Sequence, residues 1–215
     1  DALSLAVLAV SGGFLAPILI STGTGNHVAL FTYYAILNLG ILVIAKYRPW
    51  KELNLVGFLF TYAVGGLWGS KYYVPEYFAT VEPFVVLHFV LYTTVVLLFS
   101  RLSFKLSKEM VVDGILVFGV PLFTFFYQAA LLKDTRFGIA LSCAVLGAFY
   151  VALAVFLFRK KAEERRALTQ AFVGSGLVFS TLAVPYTISN IWTGSVWAIE
   201  GALLVWFGIK QEKAK

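Results

Sequence analysis

The chain has 215 residues, 60% of them hydrophobic and only 13% charged, with a formal net charge of +6. Soluble domains carry about 45–50% apolar and about 25% charged residues, so this balance excludes an ordinary water-soluble globule and points to a polypeptide whose solvent is lipid. The basic residues stand beside the ends of apolar blocks, where headgroups and topology account for them, and nucleic acid is not an expected partner.

Eight apolar blocks of roughly 18–22 residues follow one another, each long enough to cross a hydrocarbon core about 30 Å thick at about 1.5 Å rise per residue. The blocks are continuous rather than alternating, so they read as helices and not as barrel strands. The expected fold is all-α: a polytopic transmembrane helical bundle of about eight helices. It forms one domain over residues 1–215, with no room for a soluble one. The chain begins at Asp1 and is expected to be the fragment of a longer chain with further helices upstream.

The first helix is expected at 3–20; it has no basic flank before it, which argues against a signal peptide. Gly12, Gly13 and Pro17 lie inside it. A Gly/Ser/Asn turn, Ser21-Thr22-Gly23-Thr24-Gly25-Asn26-His27, leads to a second helix at 28–45, stopped by Pro49 in the basic link Lys46 to Lys51. The third, 53–70, carries Gly65 and Gly69 at the spacing of a small-residue patch for close helix packing. Residues 71–82 are rich in tyrosine and are expected to lie along the membrane surface. The fourth helix, 83–100, is expected to open on Pro83, with Glu82 as a carboxylate at the positive end of the helix dipole.

The fifth helix is expected at 112–132, with Asp113 near Lys108 as an interfacial charge, and with Gly119 and Pro121 inside it. The sixth, 137–158, holds Cys143, the only cysteine, so no intrachain disulfide can form. The seventh, 168–188, carries Gly174, Gly176 and Pro185. The eighth, 193–209, carries Glu200 in the run Trp197-Ala198-Ile199-Glu200-Gly201. Tyrosines and tryptophans at the expected helix ends form aromatic belts.

Fourteen of the seventeen lysines and arginines fall in the links after helices two, four and six and in the tail; the alternate links hold only Lys71, Lys133 and Arg136. By the positive-inside rule both termini face the cytoplasm. Gly13 to Pro17 in the first helix echoes Phe118 to Pro121 in the fifth, and similar links follow each. This pattern reads as two parallel four-helix repeats.

Ionisable residues inside a span are costly and mark candidate sites. Glu200 is expected in the outer half of the membrane, with Trp197 on the same helix face. It reads either as a protonatable, cation-binding carboxylate or as a neutral acid that locks two helices together. His88, placed at similar depth with Tyr92 one turn on, is a candidate partner for Glu200 in a proton relay, or a histidine satisfied by a simple hydrogen bond. Asn38 with Tyr34, and Gln128 with Thr124, share helix faces and are expected to bond across helices. No HExxH, GxSxG, phosphate-binding glycine loop or CxxC run is present. No catalytic, cofactor or metal residues are therefore assigned, and the sequence leans away from an enzyme.

Several runs together resemble one family: Gly12-Gly13-Phe14-Leu15-Ala16-Pro17, Ser21 to Ala29, Arg48-Pro49-Trp50 with Leu53 to Phe58, Val112-Asp113-Gly114 to Pro121, and Trp197 to Ala202. The chain is similar over nearly its whole length to domain-of-unknown-function family 2339, a group of bacterial predicted multipass membrane proteins, and looks like their C-terminal part. It departs from the family pattern at Gln170, where an acid is usual, and at Ser189-Asn190-Ile191-Trp192, where an Asp-Gly-Arg-Trp-like turn is common. The resemblance implies no established activity. The leading expectation is transport or channelling of a small solute, ion or lipid-linked molecule. A membrane scaffold or accessory subunit is the alternative, and an enzyme of envelope or lipid metabolism comes third. Membrane lipids, other helices of the longer chain or a protein partner are the expected partners; no cofactor is expected.

Overall fold

The computed structural model describes residues 2–20, 26–48, 50–100, 108–159 and 165–187, together with 194, 198, 201 and 202. Its described elements are seven α-helices and one 3-10 turn: α1 Ala2–Leu19, α2 His27–Tyr47, α3 Lys51–Tyr72, the turn Pro75–Tyr77, α4 Phe78–Phe99, α5 Lys108–Leu131, α6 Gly138–Arg159 and α7 Arg166–Leu182. Among the described residues six stretches are long and apolar enough to span a membrane: Ala2–Leu19, His27–Tyr47, Lys51–Tyr72, Pro75–Phe99, Met110–Leu131 and Gly138–Arg159. The eighth helix expected at 193–209, and with it the end of the second repeat, lies outside the described residues except at 194, 198, 201 and 202. The seventh helix is shorter than expected: α7 ends at Leu182, and Pro185 lies in the turn that follows.

Helices α2 to α5 form the centre. α2 packs on α3 and α4, α5 packs on α3 and α4, α1 flanks α2 and α3, and α6 and α7 form a tight pair that leans on α5. Successive helices run up and down. At one end, which gathers the basic links, Lys51 at the start of α3 meets Asp113 near the start of α5. At the same end Arg165 donates to the Leu97 carbonyl near the end of α4. At the other, tyrosine-rich end, His27 meets Thr80, and the Tyr73 hydroxyl reaches the Leu131 carbonyl.

The outer surface is as apolar as the interior, as lipid requires: Leu8 is 71% exposed, Leu67 69% and Phe158 78%. Packing rather than hydrophobic exclusion holds such helices together. The main core is aromatic, with Phe58, Tyr62, Phe89, Tyr92, Tyr150 and Phe172 buried against Val117 and Val120. Where α6 crosses α7, glycines let the backbones touch: a Cβ on Gly176 would stand 3.1 Å from the Val151 nitrogen and 3.2 Å from the Gly147 oxygen.

Prolines sit inside three helices, Pro17 in α1, Pro83 in α4 and Pro121 in α5. Each lacks an N–H and so frees the carbonyl four residues back, which lipid cannot satisfy. For Pro17 that carbonyl belongs to Gly13, and the Tyr33 hydroxyl of α2 donates to it at 2.9 Å. Next to it Tyr34 donates to the Phe14 carbonyl at 2.8 Å.

Pro83 corrects the expected start of the fourth helix. It is the sixth residue of α4, not the first, so two thirds of the supposed surface stretch is the 3-10 turn and the beginning of α4. Glu82 is therefore not a terminal carboxylate. Asp113, near the start of α5, is 1% exposed, and its Oδ2 lies 2.7 Å from the Lys51 Nζ.

Candidate functional site

Where α3, α4 and α5 approach the tyrosine-rich end they leave a cavity of about 520 Å³, with Phe31 of α2 closing one side. Pockets for small molecules typically measure about 300–1,000 Å³. Each helix supplies one face by its own spacing. α4 gives Val81, Phe84, Val85 and His88, an i, i+3, i+4, i+7 stripe. α5 gives Phe126, Tyr127, Ala130 and Leu131, and α3 gives Thr61, Tyr62, Gly65, Gly66 and Trp68.

The glycines of α3 act here in a way their spacing did not indicate. Gly65 and Gly69 were expected to seat a neighbouring helix. A Cβ on Gly69 would meet nothing within 4 Å, whereas one on Gly65 would come within 3.1 Å of the Tyr127 hydroxyl, and one on Gly66 within 3.3 Å. The bare strip lets the Tyr127 ring lie across α3 and donate to the Tyr62 carbonyl. Tyr62 in turn pairs with Thr124 at 3.1 Å. These bonds fix two aromatic rings of the cavity wall.

His88 sits halfway along α4. It is the eleventh of the 22 residues from Phe78 to Phe99, so the earlier helix start moves it from the outer half, where it was expected, to mid-helix. The side chain is 5% exposed. Its Nδ1 lies 2.7 Å from the Phe84 carbonyl oxygen one turn back, and its Nε2 is buried without a partner. Ser70, Phe126, Ala130 and Lys133, all exposed, are the outermost lining residues, so the cavity opens between α3 and α5. Tyr73, also at this rim and outside the spans, has its phenol pKa raised by burial and then by the carboxylates of Glu82, Asp134 and Glu76. It therefore stays a neutral donor.

Asn38 and Gln128 belong to two interhelical networks beside the cavity. Asn38 Nδ2 donates to Thr61 Oγ1 at 2.8 Å, and Tyr92 donates to Asn38 Oδ1 at 2.6 Å, tying α2, α3 and α4. Gly57 makes room for them: a Cβ there would fall 3.0 Å from both the Asn38 Oδ1 and the Tyr92 hydroxyl oxygen. Gln128 Nε2 donates to Glu82 Oε1 at 2.6 Å, and Ser142 donates to Gln128 Oε1 at 3.1 Å, tying α4, α5 and α6. The second oxygen of Glu82 is buried without a partner. Neither Asn38 nor Gln128 lines the cavity. Glu200 and Trp197 lie outside the described residues, so the Glu200–His88 pair is not among the observed contacts. Among the described residues no three His, Cys, Asp or Glu side chains gather as metal ligands do.

Residue type alone singled out His88. It did not reveal Trp68, Tyr127, Gly65 and Gly66 as walls of one cavity. The adjacent glycines beside Trp68 were the available signal, since such a pair bares a helix to large side chains.

A family model described as "Predicted membrane protein (DUF2339)" matches residues 1–215. No curated protein and no solved structure matches the chain.

Proposed function

The chain belongs to the DUF2339 family of predicted membrane proteins, and from that premise we propose that it binds a small solute in the cavity between α3, α4 and α5 as a step in moving that solute across the membrane. One observation carries this reading: a cavity of about 520 Å³, within the size range of small-molecule pockets, lies between three spanning helices and is lined by the mid-helix His88. The distribution of lysine and arginine supports a bacterial inner-membrane placement in which the basic end is cytoplasmic and the cavity opens toward the periplasmic side.

The test is equilibrium binding of naphthalene to the chain in lipid nanodiscs, each value corrected by the uptake of empty nanodiscs. Saturable binding is expected, and Leu131→Trp, which fills the cavity, removes it. Uptake no greater than that of empty discs, or binding that Leu131→Trp leaves unchanged, would refute a binding role for this cavity. The second reading, a membrane scaffold, draws on Asn38 and Gln128, whose polar atoms are spent on joining helices. It predicts no saturable binding.

A further inference from the structure

The cavity has a long axis and a charged mouth. Along α3 its lining runs from Thr61 to Ser70, about 14 Å of helix. That is roughly half of a hydrocarbon core about 30 Å thick, the depth reached by one chain of one leaflet. The deep end lies at mid-helix, beside Thr61 and His88, and the shallow end lies between Ser70 and Lys133. On α5 the exposed Phe126 and Ala130 stand one turn apart, and the exposed Lys133 follows just past the helix end. The open side between α3 and α5 therefore runs from lipid depth to the surface.

The wall is mostly apolar, with Phe31, Trp68, Val85 and Leu131 prominent. Thr61 is bonded to Asn38, Tyr62 to Thr124, Tyr127 to the Tyr62 carbonyl and Ser70 to the Leu67 carbonyl. Lys133 differs from these. It is the one charged side chain among the described lining residues, and it has no hydrogen-bond or ion-pair partner among the described residues. The other charges at this end, Lys71, Glu76, Asp134 and Arg136, are exposed and stand outside the lining. Glu82 is outside it too, and accepts from Gln128.

Resting on the reading that the cavity binds a solute, we infer that this solute is a single-chain amphiphile with an anionic head. Its chain lies along α3 and α5, and its head meets the Lys133 ammonium at the mouth. Two chains do not fit. At about 30 Å³ for each group the size of a water or a methylene, about 520 Å³ holds roughly seventeen such groups, against roughly thirty in the tails of a diacyl lipid. An uncharged chain leaves Lys133 unpaired, and a cationic head is repelled by it.

Dodecanoate and dodecan-1-ol share one chain and differ in the charge of the head. Each is titrated into the full chain in phosphatidylcholine nanodiscs at about pH 9, where the carboxylate is ionised and lysine still charged. Affinities are referred to the concentration of each probe in empty nanodiscs. Dodecanoate is expected to bind about fivefold more tightly, the upper end for an exposed ion pair, with the preference shrinking in high salt. Lys133→Gln brings the two within about twofold, and Lys133→Arg keeps the preference. Lys71→Gln, which removes a charge outside the lining, also keeps it. Lys133 is exposed and makes no bond within the described residues, so its variants are expected to fold. Equal affinities in the unmodified chain, or a preference that Lys71→Gln lowers as much as Lys133→Gln, would overturn the anionic head while leaving the cavity a binding site. Saturable binding of naphthalene but of neither dodecyl probe would overturn the single chain. Absence of saturable binding by all three would overturn the cavity reading as well.

Discussion

The α6–α7 crossing provides a test in which two glycines two residues apart respond with opposite signs. Gly176 lies against backbone: an added methyl would stand 2.8 Å from Val151 Cγ2, 3.1 Å from the Val151 nitrogen and 3.2 Å from the Gly147 oxygen. The side-chain methyl can turn away, but the two backbone atoms move only if the helices part by a few tenths of an ångström along their contact. Overpacking of this kind costs about 1–3 kcal/mol, from which the better helix propensity of alanine, about 1 kcal/mol, is subtracted. Gly176→Ala is therefore expected to loosen the pair by up to about 2 kcal/mol. At Gly174 a methyl meets nothing within 4 Å. Gly174→Ala gains the propensity without the clash and stabilises by up to about 1 kcal/mol. Cys143 is the reporter: it is the only cysteine in the chain, 0% exposed, and four residues before Gly147 on the same face of α6. Its reaction with N-ethylmaleimide in detergent requires the pair to open. A loosening of about 2 kcal/mol speeds that reaction roughly thirtyfold, while Gly174→Ala slows it. Equal labelling rates for the two variants would refute the close backbone contact.

Two further outcomes follow from the buried polar pairs. Lys51→Met takes from Asp113, which is 1% exposed, its 2.7 Å ion-pair partner but not its remaining contact. It is expected to destabilise by about 1–3 kcal/mol, and Lys51→Met/Asp113→Asn recovers most of that loss. Both are read by SDS unfolding, and a double variant no better than the single one would count against a charge effect. Gln128→Leu removes the partners of Glu82 Oε1 and Ser142 together and is expected to cost about 1–3 kcal/mol, against less than about 1 kcal/mol for Ser142→Ala. Equal costs for the two, in the same unfolding titration, would show that the Gln128–Glu82 bond contributes nothing.

The helices were legible because their signal is local: a run of apolar residues long enough to span lipid needs no knowledge of its neighbours. The same rule failed at α4 for a physical reason. In water a proline reads as a helix start or stop, but within a bundle a neighbour can satisfy the carbonyl it frees, as Tyr33 does for Gly13 behind Pro17. Treating Pro83 as a first residue displaced the start of α4 by five residues, changed the apparent role of Glu82 and moved His88 off mid-helix. The ion pair of Asp113 was illegible for a second reason: Lys51 is 62 residues away on another helix. The cavity was illegible for a third. It exists because Tyr127 crosses the bare strip at Gly65 and Gly66, and which helix meets which is not written in hydropathy.

The buried polar groups sort themselves by whether the protein answers them. Asn38 Oδ1 and Nδ2, and Gln128 Oε1 and Nε2, each have a partner on a different helix, which is what a residue retained for packing requires. Among the described residues four side chains keep an unanswered atom: Asn54 Oδ1, Glu82 Oε2, His88 Nε2 and Thr93 Oγ1. Of these only His88 lines the cavity. The distinction matters because the cost is similar for each acceptor, about 1–3 kcal/mol, but the remedy is not. Asn54, Glu82 and Thr93 stand outside the cavity lining, so a molecule there would not be their remedy. At His88 the neighbouring space admits a whole molecule, and the protein's own acceptor is held in one tautomer by the Phe84 carbonyl. Nε2 itself is buried, so the ring would have to shift off the Phe84 carbonyl before a molecule in that space could pair with it.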